Sequence, residues 1–214
     1  MIVLKLLRGI ALCWPVQHFL NTTIRRLSPF WIYRSWVSHR RIAVHESGHV
    51  IAAFMEPKAS VLWVSVMPTL RLGGSALICN FPHGVNKIAL YLAGREAERQ
   101  VYSDANATEA KIRDQRARSD LVTARSIARS MAWKQVLLRV DAGTIFTPAR
   151  STMIRSRVDQ TTQHFLKIAE QRAARVLRVR QHDLLRLTNA LVKSPTGDLN
   201  DSQIRDALNV WQLP

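Results

Sequence analysis

The sequence predicts a mainly α-helical fold carrying one small β-hairpin, and three observations lead there. Apolar residues recur at helical spacing through most of the chain after residue 38. One β-branched and aromatic segment, "VLWVSVMP" (61–68), is followed by Gly73-Gly74 and then by "SALICNF" (75–81), which reads as two strands joined by a turn. The chain has 214 residues, 47% of them hydrophobic, with no internal repeat or low-complexity tract, so it can bury a sizeable core.

The elements follow in order. Over about 38–55, Ile42, Val44, Val50, Ile51, Phe54 and Met55 cover more than one face, which predicts a mostly buried helix. After the hairpin, Ile88, Leu92 and Ala93 mark a helix from Val85 to about Tyr102, and "SDANAT" supplies turn residues. A helix begins near 108 or restarts at Ser119, with Leu121, Ala124, Ile127, Ala128 and Met131 on one face. Ser119 is the expected N-cap there, which puts Asp120 in a first helical turn, where the helix dipole favours an ionised carboxylate. "DAGTIFTPAR" (141–150) reads as a loop, and Ile154, Val158, Phe165, Ile168 and Val176 as a long amphipathic helix. Two shorter helices are expected near 181–193 and 201–210, separated by "SPTGDLND", with Asp201 capping the last.

Charge divides the chain into a basic, aromatic-rich extension (1–37) and a main domain (38–214). There are 31 Lys+Arg against 15 Asp+Glu, a net charge of +16. Residues 1–45 hold seven of those cations and no acid, interleaved with Trp14, Phe19, Phe30, Trp31, Tyr33 and Trp36. Such a pattern suits a membrane interface or a single-stranded nucleic acid as well as a helical extension packed on the domain. Lys5, Arg8 and Trp14-Pro15 interrupt the first apolar stretch well short of the ~20 residues a spanning helix needs. With only Cys13 and Cys79, in no metal-like spacing, a reducing, cytoplasmic location is expected, with the extension available for peripheral contact with a membrane.

The segment "AVHESGHVIAAF" (43–54) places three ionisable side chains in an apolar run. "HESGH" fits HExxH, and the i, i+4 spacing puts His45 and His49 one turn apart on one helix face, aimed at a common point. Two imidazoles so placed can take two corners of a tetrahedral zinc. Glu46 lies beside that point as a general base for a zinc-activated water. A catalytic zinc also needs a third protein ligand. The spacing HExxHxxGxxH fails, since Ala52 and Met55 occupy the required positions. Among Glu96, Glu98, Asp104, Asp114 and Asp120, spacing ranks Glu96 and Asp120 highest and leaves the choice between them open.

Beyond the motif, "AVHESGHVIAAFMEP", "VLWVSVMP", "YLAGREAERQVY" and "SDLVTARSIARSM" come in the order and approximate spacing of the peptidase domain of FtsH-type membrane proteases, and the chain resembles that domain over about residues 38–210. The resemblance implies a mainly helical, zincin-like fold. It also implies zinc held by His45, His49 and Asp120, with Glu46 as the catalytic base, so it selects Asp120 over Glu96. The implied activity is that of a metalloendopeptidase cutting flexible or unfolded polypeptides. An edge strand of the hairpin would hold the extended substrate by backbone hydrogen bonds.

The chain departs from the family pattern in three places. Arg113, Arg116 and Arg118 stand ahead of Asp120, where cations either hold a ligand carboxylate ionised or compete for it. Ser47 replaces a commoner alanine, and Gly48 is kept at a mid-helix position where glycine costs about 1 kcal/mol, which points to close packing. No GxxxxGK[ST] phosphate loop is present, so ATP-driven unfolding is expected to come from a separate AAA ATPase, and family likeness suggests a homo-oligomeric ring. An inactive binding or assembly module is the alternative. A basic nucleic-acid or membrane-surface protein with an accidental HExxH ranks last, because excess Lys and Arg more often form a solvated face.

Overall fold

Helix α1 (Trp36–Ala53) runs through the centre of the fold, and every residue from Ile42 to Ala53 is buried. A helix buried on every side reserves no face for solvent, which is why this stretch shows no single hydrophobic stripe. The computed structural model describes residues 36–55, 59–66, 74–102, 107–138 and 148–209. The expectations for residues 1–35, for the turn at 103–106 and for residues 141–147 of the loop expected over 141–150 fall outside them, whereas 148–150 of that loop are helical because Pro148 opens the long helix.

Strands β1 (Ser60–Ser65) and β2 (Ser75–Cys79) pair antiparallel, with a bulge between Val61 and Trp63. A third strand, β3 (Asp198–Asn200), pairs antiparallel with the other edge of β1 and gives the order β2-β1-β3. This strand lies within "SPTGDLND", the segment expected only to separate the last two helices. Three residues are too few to show an alternating pattern, and the neighbouring Gly197 does adopt a left-handed φ of 69°. Among the described residues β2 and β3 flank β1, β3 covering it over Trp63–Ser65, so β2 presents an outer edge along its length.

Helix α2 (Gly84–Tyr102) is followed by α3 (Ala107–Arg116), α4 (Arg118–Leu137) and the 32-residue α5 (Pro148–Val179). The chain then forms α6 (Gln181–Lys193) and α7 (Asp201–Leu208). Helices α2, α4 and α5 pack against one another. Small buried residues at four-residue spacing, Ala124, Ala128 and Ala132 on α4 and Ala169 and Ala173 on α5, let their backbones approach closely. The core is completed by Ile51, Val64, Ile88, Leu90, Leu177, Leu184, Leu187, Leu191 and Ile204. No helix among the described residues is long and apolar enough to cross a membrane.

Two expected caps are reassigned. Helix α7 is capped by Asn200, not Asp201: the Asn200 side chain accepts from the Gln203 backbone N–H (3.0 Å) while Gln203 Oε1 accepts from the Asn200 N–H (2.9 Å). Helix α4 begins at Arg118 with Ala117 at its cap position and no side-chain cap, so Ser119 lies inside the first turn. The chain continues from α3 almost without a break there. The Ala117 N–H donates to Arg113 O (3.0 Å), and Ala117 O accepts from the Leu121 N–H (2.9 Å). Backbone bonds thus meet the need that a capping hydroxyl would have met.

Gly48 stands where α1 and α2 cross. A Cβ there would lie 2.6 Å from Ala93 O and 2.7 Å from Ala97 Cβ. The lost helix propensity is therefore the condition for the close crossing that brings α1 against the face of α2 bearing Gly94 and Glu98. Ser47, buried next to it, has its Oγ 3.3 Å from Thr188 Oγ1 on α6.

Candidate metal centre

Three elements deliver the site. Helix α1 supplies His45, Glu46 and His49, α2 supplies Glu98, Gly94 and the carbonyl of Leu90, and α4 supplies Asp120 from its first turn. His45 Nε2 and His49 Nε2 lie 3.1 and 3.3 Å from the same oxygen, Asp120 Oδ2. The possible ligand atoms of His45, His49 and Asp120 all lie within 4.8 Å of one another, so this buried group can hold a metal ion.

The other ring nitrogens decide which atoms face that point. His49 Nδ1 is 2.8 Å from Leu90 O, and a carbonyl only accepts, so this nitrogen carries the proton and leaves the lone pair on Nε2. His45 Nδ1 donates in the same way to Glu98 Oε1 at 2.9 Å. When neutral, both imidazoles therefore turn a lone pair towards Asp120 Oδ2, an arrangement that repels unless a proton or a metal cation sits between them. Ligating histidines are commonly braced through the far nitrogen in this manner.

Charge points the same way. Glu46 and Glu98 are almost fully buried, and Asp120 is largely buried next to them. Three carboxylates against two imidazoles leave the pocket short of positive charge, which a divalent cation would supply. Burial works against a charge on His45, but the hydrogen bonds with Asp120 and Glu98 and the charges of Glu46 and Glu98 outweigh it and push its pKa up to about 10. Burial also opposes ionisation of Asp120, yet the hydrogen bonds with His45 and His49 hold it well below the usual carboxylate range. Burial raises Glu46, only partly countered by His49 and His45, which suits a group that accepts a proton.

In the metal-free protein a proton on His45 thus takes the cation's place, and an entering metal has to displace it. Below a pKa of about 10 the affinity should rise as the pH rises, by about tenfold per unit, with about one proton released per ion bound. Calorimetric titration in buffers of different ionisation enthalpy, repeated at several pH values, would measure both.

Two glycines shape the pocket. A Cβ on Gly94 would lie 2.5 Å from His45 Nε2 and 2.6 Å from His49 Nε2, so the bare backbone of α2 forms one wall of the ligand cradle. A Cβ on Gly74, just ahead of β2, would lie 2.6 Å from Glu46 Oε1 and 2.7 Å from Ile42 Cγ2. The strand therefore enters directly against the carboxylate.

The structure brings together all four residues that the sequence singled out, His45, Glu46, His49 and Asp120. Glu96 does not join them. Its carboxylate faces away, accepting from Arg99 (2.9 Å) and Gln100 (3.1 Å). The arginines before Asp120 can be placed only in part. Arg118 is exposed, Arg113 is buried 3.5 Å from Asp114, and the Arg116 side chain lies outside the described residues. Asp114 is instead held low chiefly by its hydrogen bond from Arg95, which also bonds Glu170, and this clamp ties α3 to α2 and α5 just ahead of Asp120.

Sequence reasoning missed the bracing role of Glu98, which it weighed only as a ligand. The signal was the helical offset: Gly94 and Glu98 are four residues apart and share a face, whereas Glu96 points elsewhere. Tyr91, one turn before Gly94, was also missed. Partial burial and the nearby charge of Asp120 both raise the pKa of its phenol, keeping it protonated. No protein-family model and no curated protein matches the chain.

Proposed function

We propose that the protein is a zinc metalloendopeptidase, akin to the peptidase domain of FtsH-type proteases, that hydrolyses peptide bonds in flexible polypeptides. One observation carries the reading: the Nε2 atoms of two imidazoles lie within 3.3 Å of one carboxylate oxygen, with the buried Glu46 on the same helix beside them. A purely structural zinc site would need no such base. His45, His49 and Asp120 would hold the ion, whose Lewis acidity would activate water and polarise the scissile carbonyl.

The protein's own groups account for the remaining steps. Glu46, raised by burial, takes the proton from the attacking water and passes it to the departing amine. Glu98 and Leu90 O keep the two imidazoles in the tautomer with free Nε2 atoms. The outer edge of β2, which starts at the Glu46 carboxylate, receives the substrate as an added extended strand, so backbone hydrogen bonds supply binding with little demand on sequence.

Elemental analysis of the purified protein and hydrolysis of an unfolded protein substrate test this together. We expect about one zinc per chain and cleavage that stops on chelation and returns with added zinc. Metal-free protein that cannot be loaded, or cleavage indifferent to chelator, would refute the proposal.

A further inference from the structure

An aromatic surface adjoins the metal centre and has no part in the chemistry above. Tyr91 follows Leu90, whose carbonyl orients His49, and precedes by one turn Gly94, whose backbone touches both imidazoles. Its ring is stacked on that of Phe81, with centroids 6.4 Å apart and planes 14° from parallel. Tyr91 is half-buried and Phe81 is 38% exposed, so the pair presents a flat apolar surface to solvent. Lys87 Nζ lies 5.5 Å from the Phe81 centroid and steadies that ring from one side.

The position of the pair relative to β2 gives it an occupant. The strand leaves Gly74 at the Glu46 carboxylate, ends at Cys79, and Phe81 follows two residues later. One end of the β2 edge therefore lies at the base, and the stacked pair lies past the other end, beyond a left-handed bend at Asn80 (φ 52°). A polypeptide lying extended along that edge passes both, and it reaches the aromatic surface within about six residues of the scissile bond, at about 3.4 Å per residue. Exposed aromatic faces of this kind bind flat or bulky apolar side chains by stacking and by release of water.

We propose that Phe81 and Tyr91 form a subsite that binds an aromatic or large aliphatic side chain of the polypeptide substrate, set off from the scissile bond along β2. This rests on the peptidase reading above and adds a side-chain preference to a site otherwise read through backbone contacts.

The test uses the full chain and a set of otherwise uniform Ser/Ala peptides, each with a single Phe moved through the six positions on either side of the cut. At one position Phe should raise kcat/KM about tenfold over Ala. Phe81→Ala should bring that ratio close to one, and Phe81→Tyr, which keeps a ring, should restore it, with metal content equal in all forms. Binding of the same labelled peptides to Glu46→Gln protein, followed by fluorescence anisotropy, separates the two proposals. If no peptide is cut but Phe-dependent binding is lost with Phe81→Ala, the peptidase reading fails and the subsite stands. If Phe and Ala peptides bind and react alike at every position, or if Phe81→Ala leaves the ratio intact, the subsite is refuted whatever the catalytic result.

Discussion

Glu46→Gln is expected to retain bound metal and lose hydrolysis by a factor of about 10²–10⁴, the range typical for removal of a general base. The substitution keeps size and hydrogen-bonding capacity but cannot take up a proton. Glu46 is buried among the ligands without being one of the three converging groups, so its replacement leaves His45, His49 and Asp120 in place. It also removes one of the charges that hold a proton on His45, which makes the imidazole easier to deprotonate for a metal. Metal content and turnover should therefore separate in this variant. Equal turnover in both proteins would remove Glu46 from the mechanism, and joint loss of metal and turnover would make it a structural prop of the site.

Gly94→Ala is expected to abolish the site at its foundation, with metal and turnover lost together. The added methyl would fall 2.5–2.6 Å from Nε2 of both histidines, the atoms that have to reach a metal. Neither ring can retreat without giving up a bond: His45 is tied to Glu98 through Nδ1, and His49 to Leu90 O. Alanine gains about 1 kcal/mol of helix propensity over glycine, so the protein should still fold while metal affinity drops by at least about 100-fold. Competition with a chromogenic chelator measures the affinity, and far-ultraviolet circular dichroism checks the fold. Wild-type affinity in Gly94→Ala would mean that the helices part at this point more easily than their packing suggests.

How far the sequence revealed this arrangement varied with the kind of interaction. Long helices were legible because burial imposes a period: α1, α2, α5 and α6 lie close to where apolar spacing put them. The ligand histidines were legible because one helix turn brings them together, so sequence distance equals spatial distance. Asp120 could not be reached that way. Its partner is 75 residues away, and a place in a first helical turn does not by itself decide against Glu96, which is occupied by Arg99 and Gln100. Strand β3 was hidden for a related reason, since its three residues are defined only by pairing with β1. Gly94 and Gly74 were unreadable because their significance lies in what a side chain would strike, a property of neighbours and not of the residue itself.

The reach from His45 to Asp120 bears on how the protein comes apart. An ion held by both would close the intervening chain into a ring, enclosing β1, β2, α2 and α3, as a disulfide does between distant cysteines. Cross-links over loops of this length restrict the unfolded chain by roughly 4 kcal/mol. The first turn of α4 could then not peel away from α1 while the ion stayed bound. Helices that share no covalent neighbour would open together or not at all, and the chemistry of the site and the cohesion of the fold would be lost in one event.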